Sequence, residues 1–188
     1  MSPSHPVTQT SWLPRAAYRV QQFLASLWPQ ITPGEQDELT CWLPPLAVAL
    51  FQRMTRRDRR HSLDVFHRVQ QSAPDQPDLL AAALLHDAAK TALPGRRVRL
   101  HHRVLVVLME AARPGSVPQI ARDDPRSWRY PFYLHLHHPE LGARLAEEAG
   151  CSALTAGLIH RHQAKLTQPP RDEFERLLAL LQGADDAS

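Results

Sequence analysis

The stretch LLAAALLHDAAK, residues 79–90, decides the fold. Its first seven residues are all apolar, so a helix of 3.6 residues per turn would carry apolar side chains on every face. A helix of that kind has to be surrounded by other elements. The sequence therefore predicts a buried helix over residues 78–91 at the centre of the fold, ended by Pro94 and Gly95.

The remaining segments predict further helices around this one, because no stretch shows the sustained alternation of a half-buried strand. The fold class is therefore predicted as all-α. The predicted helices cover residues 16–28, 36–54 with an interruption at Pro44 and Pro45, 61–72 and 97–112, with shorter helices beginning near Pro139, Ala153 and Asp172.

The chain length predicts a single domain over residues 12–188, preceded by a polar, proline-bearing tail over residues 1–11 that we expect to be disordered. Residues 113–136 form a long aromatic-rich connection. Connections of that length in compact domains are often functional lids, and packing over the core is the alternative.

Composition limits the cellular setting and the partners. Cys41 and Cys151 lie far apart and outside any Cys-x-x-Cys pattern, so neither a disulfide framework nor a thiolate metal site is expected. The N-terminal sequence lacks a secretory pattern and no run of 18 apolar residues occurs, which predicts a cytoplasmic protein without membrane spans. The net charge of +3 comes mainly from arginine clusters at residues 53–60 and 96–103, interpreted as solvated helix ends that favour anions only weakly.

The adjacent pair His86 and Asp87 is the first candidate for a functional site, because these two polar residues interrupt the most apolar segment of the chain. An ionised carboxylate is costly to bury unless it is paired or binds a metal. Lys90 follows His86 by one helical turn and would bring a positive charge to the same face. A buried hydrogen-bonded pair without a metal is the structural alternative.

Helical periodicity indicates which other chemical residues point inward. His61 shares a stripe with Val65 and Val69, whereas His67 falls near the other border of the apolar arc. In the segment ALTAGLIHRHQ, His162 shares a face with Leu154 and Leu158, and His160 lies on the opposite face.

The two remaining candidates lie near the C-terminus. Asp185 rather than Asp186 is inward, provided that the last helix continues past Gly183. His138 precedes Pro139 and Glu140 in a pattern typical of a helix start, where it would be either a ligand or a cap.

These residues occur in the order found in the HD-domain superfamily of metal-dependent phosphohydrolases, which the chain resembles over about residues 58–186. HDAAK resembles the family's HD-x-G/A-K motif, and His61 and Asp185 take the places of the flanking His and Asp. HHPELGA and IHRHQ are similar to the histidine segments of members that hold a second metal. The resemblance implies a helical core with a metal site between helices and hydrolysis of a phosphomonoester or phosphodiester, often of a nucleotide.

The resemblance also implies roles for the site residues. His61, His86, Asp87 and Asp185 would bind a first divalent metal, and His138 and His162 would complete a second. Imidazole with carboxylate suits Mn²⁺, Fe²⁺, Co²⁺, Ni²⁺ or Zn²⁺, with Mg²⁺ as a further candidate. Asp87 would also orient the attacking water, and Lys90 would stabilise charge on the phosphate.

Two other functions stay open. A catalytically silent regulatory module could keep the same scaffold and metal, although the complete ligand set and Lys90 argue against it. A nucleic-acid binder could use the arginine clusters, but no basic platform with interleaved aromatic residues is evident. The expected partner is therefore a small phosphorylated substrate, in particular a nucleotide.

Overall fold

The computed structural model describes residues 31–95 and 97–188. The predicted tail over residues 1–11 and the predicted helix over 16–28 lie outside the described residues. Within the described ranges the chain is entirely helical, without a strand, and the all-α prediction is confirmed. The helices are α1 Pro33–Trp42, α2 Pro45–Arg53, α3 Arg56–Ser72, α4 Pro77–Leu85, a 3₁₀ turn Ala88–Lys90, α5 Leu100–Ala112, α6 Val117–Ile120, α7 Tyr130–Glu148, α8 Ala153–Arg161 and α9 Glu173–Asp186.

Helix α4 is the centre of the fold, as its composition predicts. Every residue from Leu79 to Leu85 is at most 5% exposed. Helices α1, α3, α8 and α9 pack directly against α4, while α7 packs on α8 and on the 3₁₀ turn. Burying so many apolar side chains in one element supplies much of the hydrophobic stabilisation, since each large side chain contributes about 1.5–3 kcal/mol.

Helix α4 is shorter than predicted, because the continuous helix over residues 78–91 is wrong. It ends at Leu85, His86 caps it in helical conformation, and Asp87 takes φ −102° and ψ 3° before the 3₁₀ turn begins. That bridge conformation turns the chain out of the α-helical path, and it is common among active-site residues. The break therefore lies at the two residues that carry the chemistry.

Helix α7 starts nine residues earlier than Pro139, so the predicted helix start at that proline is wrong. The helix begins at Tyr130 and contains Pro139 internally. The predicted long connection over 113–136 is accordingly not one loop, because it holds α6 and the first turns of α7. The prolines at 118 and 131 fall in the first turns of these helices, where the missing N–H costs nothing, so they mark helix starts rather than loop.

The remaining helix predictions agree with the structure apart from their ends. The double proline separates α1 from α2, and α3 and α5 begin at Arg56 and Leu100. Helix α9 runs through Gly183 to Asp186, as the inward placement of Asp185 requires. No helix among the described residues combines the length and apolar character needed to cross a bilayer.

Candidate metal centre

The six predicted metal ligands converge between five elements of the bundle. His61 comes from α3, His86 and Asp87 from the break after α4, and the others from the middle of α7 and the ends of α8 and α9. They form two groups, and within each group the potential ligand atoms all lie within 4.8 Å of one another. The first group is His61, His86 and Asp185, and the second is Asp87, His138 and His162. Each group could hold a metal ion.

The first group forms the more open side of the centre. The Nε2 atom of His61 lies 3.0 Å from Oδ1 of Asp185, and Nε2 of His86 lies 3.5 Å from the same oxygen. The side chains of His61 and Asp185 are 27% and 29% exposed, whereas His86 is fully buried. Access from solvent to the centre is therefore at the His61 and Asp185 side.

The second group is buried. Oδ1 of Asp87 lies 3.5 Å from Nε2 of His138 and 3.8 Å from Nε2 of His162. The two imidazole nitrogens are 3.3 Å apart. His138 is 0% and His162 is 4% exposed, while His160, two residues away, is exposed as the helical register predicts.

Asp87 lies between the groups rather than within the first one. Its Oδ1 is 3.7 Å from Nε2 of His86, so one carboxylate adjoins ligand atoms of both groups. The sequence prediction assigned Asp87 to the first metal with His86. The structure instead groups Asp87 with His138 and His162 and leaves it within reach of His86.

Lys90 reaches the centre through Asp87. Its Nζ lies 2.7 Å from Oδ1 and donates a hydrogen bond of 2.9 Å to Oδ2 of that carboxylate. The shared helical face with His86 is not what brings it there, because the α-helix ends before His86 and Lys90 belongs to the 3₁₀ turn. The tighter turn brings residues three apart onto one side, which explains the pairing with Asp87.

Three buried histidines are oriented in the same way. Nδ1 of His86, His138 and His162 lies 2.9, 2.7 and 2.7 Å from the backbone carbonyl three residues earlier in the chain. A carbonyl only accepts, so each Nδ1 carries the proton and each neutral ring presents the Nε2 lone pair to the centre. This is the orientation that metal-binding histidines usually take.

Helix ends and one proline supply these carbonyls. Helices α4 and α8 end at the residues immediately before His86 and His162, so the next backbone N–H groups no longer continue the helical pattern. The carbonyl of Ile159 receives only the long 3.5 Å bond from the N–H of His162 besides the contact with its Nδ1. Pro139 has no N–H, so it cannot bond to the carbonyl of His135, and Nδ1 of His138 takes that acceptor instead. The proline inside α7 therefore orients His138 rather than starting the helix, and the interpretation of His138 as a helix cap is wrong.

The pKa values reflect this crowding of buried groups. For Asp87, burial alone would raise the pKa, but Lys90, His86 and His138 outweigh it and hold the pKa well below the usual range. The pKa of Asp185 is lowered in the same way by hydrogen bonds to His61 and His86.

Burial and the Lys90 charge hold the pKa of His138 well below 6.5, and burial with His86 lowers the pKa of His162 to about 4. His86 is the exception: burial opposes its protonated form, but the carboxylates of Asp87 and Asp185 raise its pKa.

We expect the metal-free protein to lose stability as the pH falls from about 6.5 to about 4. In that window the unfolded chain protonates His138 and His162 while the folded chain does not, so acid favours unfolding. Protonation of the two carboxylates acts in the same direction at lower pH, and His86, whose raised pKa favours folding in acid, offsets part of it. Denaturant unfolding in EDTA at several pH values measures the slope. A free energy of unfolding that stayed level or rose toward pH 4 would contradict the described environment of the two histidines.

The residues present fit a metal ion. Nε2 of His86 and Oδ1 of Asp87 are buried side-chain atoms without a well-formed hydrogen bond; their nearest charged neighbours are Asp185 Oδ1 at 3.5 Å from the first and Lys90 Nζ at 2.7 Å from the second. His138 and His162 direct two lone pairs at each other across 3.3 Å, which is unfavourable unless a cation or a proton lies between them. Lys90 neutralises one carboxylate but gives none of these nitrogens a donor. A divalent cation would satisfy the nitrogens and the carboxylate oxygen together.

Among the described residues, the other histidines and the aromatic residues lie outside the two groups. Nε2 of His67 is 3.5 Å from Glu38, and His101 stacks beside His102. Trp128 is 62% exposed and contacts Phe132 edge-on, while Tyr130 is buried and stacks on Tyr133. Tyr130 is therefore part of the packing of α7, whereas Trp128 is largely open to solvent.

His135 is a neighbour of the centre that the sequence analysis did not assign to it. Its Nδ1 is buried without a hydrogen-bond partner, and its pKa is lowered by burial and by the charges of Lys90 and Arg103. The spacing of three residues to His138 would have placed both on one helical face, but the expected helix start at Pro139 concealed this relation.

Comparison with known protein families, curated proteins and solved structures found no match. The His and Asp cluster of this chain is therefore the basis for inferring its function.

Proposed function

We propose that this protein is a metal-dependent phosphohydrolase of the HD type that cleaves a phosphomonoester or phosphodiester, in particular of a nucleotide. The observation that carries the proposal is the set of inward Nε2 lone pairs from three carbonyl-anchored histidines around the buried carboxylate of Asp87. Such a set is costly to bury in a protein that holds no cation. The free thiols of Cys41 and Cys151 support a reducing, cytoplasmic location as part of the same proposal.

The described ligands would hold one ion in each group, with Asp87 adjoining both. Bound divalent metal would lower the pKa of a water molecule and stabilise negative charge on phosphoryl oxygens. His61 and Asp185 border the solvent-accessible side, so a phosphate group would approach past them. The Nδ1 anchors keep the buried rings from rotating, which preserves the geometry of the site during the reaction.

Asp87 and Lys90 have distinct proposed roles at the reacting phosphate. The carboxylate of Asp87 stays ionised because its pKa is held low, so it can accept a hydrogen bond from the attacking water and orient it. The ammonium of Lys90 lies beside this carboxylate and can donate to a phosphoryl oxygen as its negative charge develops. The ion pair with Asp87 holds Lys90 in place before the substrate binds.

We expect Lys90→Met to retain bound metal and to reduce turnover by about 10 to 1,000-fold, which is the range for loss of one transition-state donor. The ligand nitrogens and Asp87 remain in this variant, so metal content should be preserved. Lys165→Met is the matched control, because Lys165 is exposed and does not pair with the cluster. Metal analysis combined with steady-state kinetics separates the two effects. Near-normal turnover in Lys90→Met would reduce Lys90 to a structural partner of Asp87.

A substrate screen tests the proposal. The full chain is assayed for phosphate release from nucleoside mono-, di- and triphosphates, dinucleotides and small phosphoesters, each with Mn²⁺, Co²⁺, Ni²⁺, Fe²⁺, Zn²⁺ and Mg²⁺. We expect turnover of at least one nucleotide with a transition metal. Stoichiometric metal binding without turnover of any substrate would favour the regulatory module, the second function that the same cluster supports.

A further inference from the structure

A cleft lined by arginines lies on the surface beside the turn that carries Lys90. It has a volume of about 370 Å³ and is formed by the start of α3, the extended segment 97–99 and the start of α5. Its charged lining residues are Arg57, Asp58, Arg97, Arg99 and Arg103. The volume falls within the range typical of small-molecule sites.

The described residues do not balance the positive charge of this arginine cleft. Among them Asp58 is the only acidic lining residue, and it is already engaged by Arg103 at 2.5 Å and by the Thr55 hydroxyl at 2.7 Å. No ion pair within residues 31–95 and 97–188 involves Arg57, Arg97 or Arg99. Several unpaired guanidinium groups around one concave surface attract anions.

A second cleft of about 460 Å³ adjoins the first and shares Arg97 and Arg99 with it. Between these two residues Val98 is only 4% exposed, while both arginines are exposed. Because alternate residues of an extended segment point to the same side, both guanidinium groups can face the shared rim of the two clefts. Two adjoining anionic groups could therefore be bound at once.

A backbone hydrogen bond joins the segment that carries Arg97 and Arg99 to the turn that carries Lys90. The N–H of Val98 donates to the carbonyl of Lys90 at 3.1 Å. On the facing side, the N–H of Thr55 donates to the hydroxyl of Thr91 at 3.3 Å. The arginine cleft is therefore attached on both sides to the turn that begins at Asp87. Burial lowers the pKa of His135, and so do the charges of Lys90 beside the His and Asp cluster and of Arg103 in the arginine cleft.

We propose that the arginine cleft is an oligophosphate-binding site, in which Arg97 and Arg99 hold two adjoining phosphate groups. Among the described residues, neither cleft is lined by Phe, Tyr or Trp, so these residues offer no stacking surface for the bases of a nucleic acid. The chemistry therefore fits a short phosphate chain rather than an RNA strand. This inference about the substrate rests on the proposed hydrolase function: the substrate carries phosphate groups in addition to the one that is cleaved.

Calorimetric titration of the full chain with inorganic tripolyphosphate, pyrophosphate and orthophosphate tests the binding site directly. We expect affinity to rise in that order from orthophosphate to tripolyphosphate. The double variant Arg97→Gln and Arg99→Gln should weaken tripolyphosphate binding by about tenfold or more, since two charge-assisted contacts are lost. The double variant Arg68→Gln and Arg171→Gln is the control, because it removes equal charge from exposed positions outside the cleft.

Three outcomes would overturn the site. Equal weakening in both double variants would show that net charge alone attracts the anion. Loss of tripolyphosphate binding after treatment with EDTA would place the anion at the metal cluster instead. Tighter binding of a short single-stranded RNA than of tripolyphosphate, with the RNA affinity also lost in the Arg97 and Arg99 variant, would make the cleft a nucleic-acid surface.

A kinetic comparison tests the link to the hydrolase. With a nucleoside diphosphate and the corresponding monophosphate as substrates, the Arg97 and Arg99 variant should raise KM for the diphosphate by about tenfold and leave kcat and the monophosphate KM unchanged. A variant that lowers kcat equally for both substrates would contradict the subsite. If the protein hydrolyses no phosphoester, the proposed function fails, while titration with EDTA present still decides whether the arginine cleft binds oligophosphate.

Discussion

Asp87→Ala is expected to lose both bound metal and phosphohydrolase activity. Among the described residues, Asp87 is the one carboxylate that adjoins imidazole nitrogens of both groups, with Oδ1 3.5 Å from His138 and 3.7 Å from His86. Its removal leaves the second group with two neutral imidazoles beside the charge of Lys90, which repels a cation. Turnover should fall to background, and elemental analysis should show the loss of at least one metal ion per chain.

Asp186→Ala is the control for this variant, because Asp186 is an exposed carboxylate near the same centre, next to the proposed ligand Asp185. It should keep metal and activity. Circular dichroism identifies whether the Asp87 variant folds, and Asp87→Asn offers a second variant of nearly the same shape. Full metal content in either folded Asp87 variant would show that Asp87 and Lys90 form only a buried ion pair.

His162→Ala is expected to lower bound metal from about two ions per chain toward one and to impair turnover, whereas His160→Ala leaves both nearly unchanged. His162 is 4% exposed and its Nε2 lies in the second group, while His160 is exposed on the opposite side of the same turn. The two variants delete the same side chain two residues apart, so each controls for the other. Metal content is measured on protein purified without chelator.

Two results would contradict this assignment. Metal lost with His160 and kept with His162 would mean that the helical register at the end of α8 is wrong. One ion per chain in the unsubstituted protein and in both variants would mean that the second group holds no metal and that His162 supports packing or substrate binding instead.

Simple periodicity predicted the inward faces of α3, α8 and α9 correctly, which carry His61, His162 and Asp185. Val65 and Val69 are buried on the face of α3 that carries His61, and Leu158 is buried on the face that carries His162. A burial pattern of 3.6 residues is local information, so the sequence contains it. The all-α fold and the convergence of the six residues follow from these faces packing on the apolar helix α4.

The errors concern backbone breaks, and each has a physical cause. Prolines were interpreted as helix boundaries, yet Pro139 lies inside α7, where the side chain of His138 takes the carbonyl that the proline leaves free. The end of α4 at Leu85 was missed because Ala88 and Ala89 favour a helix by propensity. The packing of α7 on the 3₁₀ turn is a tertiary contact that local sequence does not reveal; a Cβ added at Gly142 would lie 3.7 Å from the carbonyl oxygen of His86.

The division of the ligands into two groups was also beyond the sequence. The resemblance to the HD-domain superfamily implied that Asp87 binds the same ion as His86. The turn out of α4 instead directs the Asp87 carboxylate toward His138 and His162. Which neighbour a side chain meets after a helix break depends on the packing of distant elements.

We propose that the His and Asp cluster is a metal centre on which activity depends. The most direct measurement is elemental analysis of the full chain purified without chelator, followed by EDTA treatment, dialysis and readdition of single divalent metals, with phosphate release assayed at each stage. We expect about one to two transition-metal ions per chain, loss of activity when the metal is removed, and recovery of activity when metal is added back. Unchanged turnover in protein shown to contain no metal would contradict it.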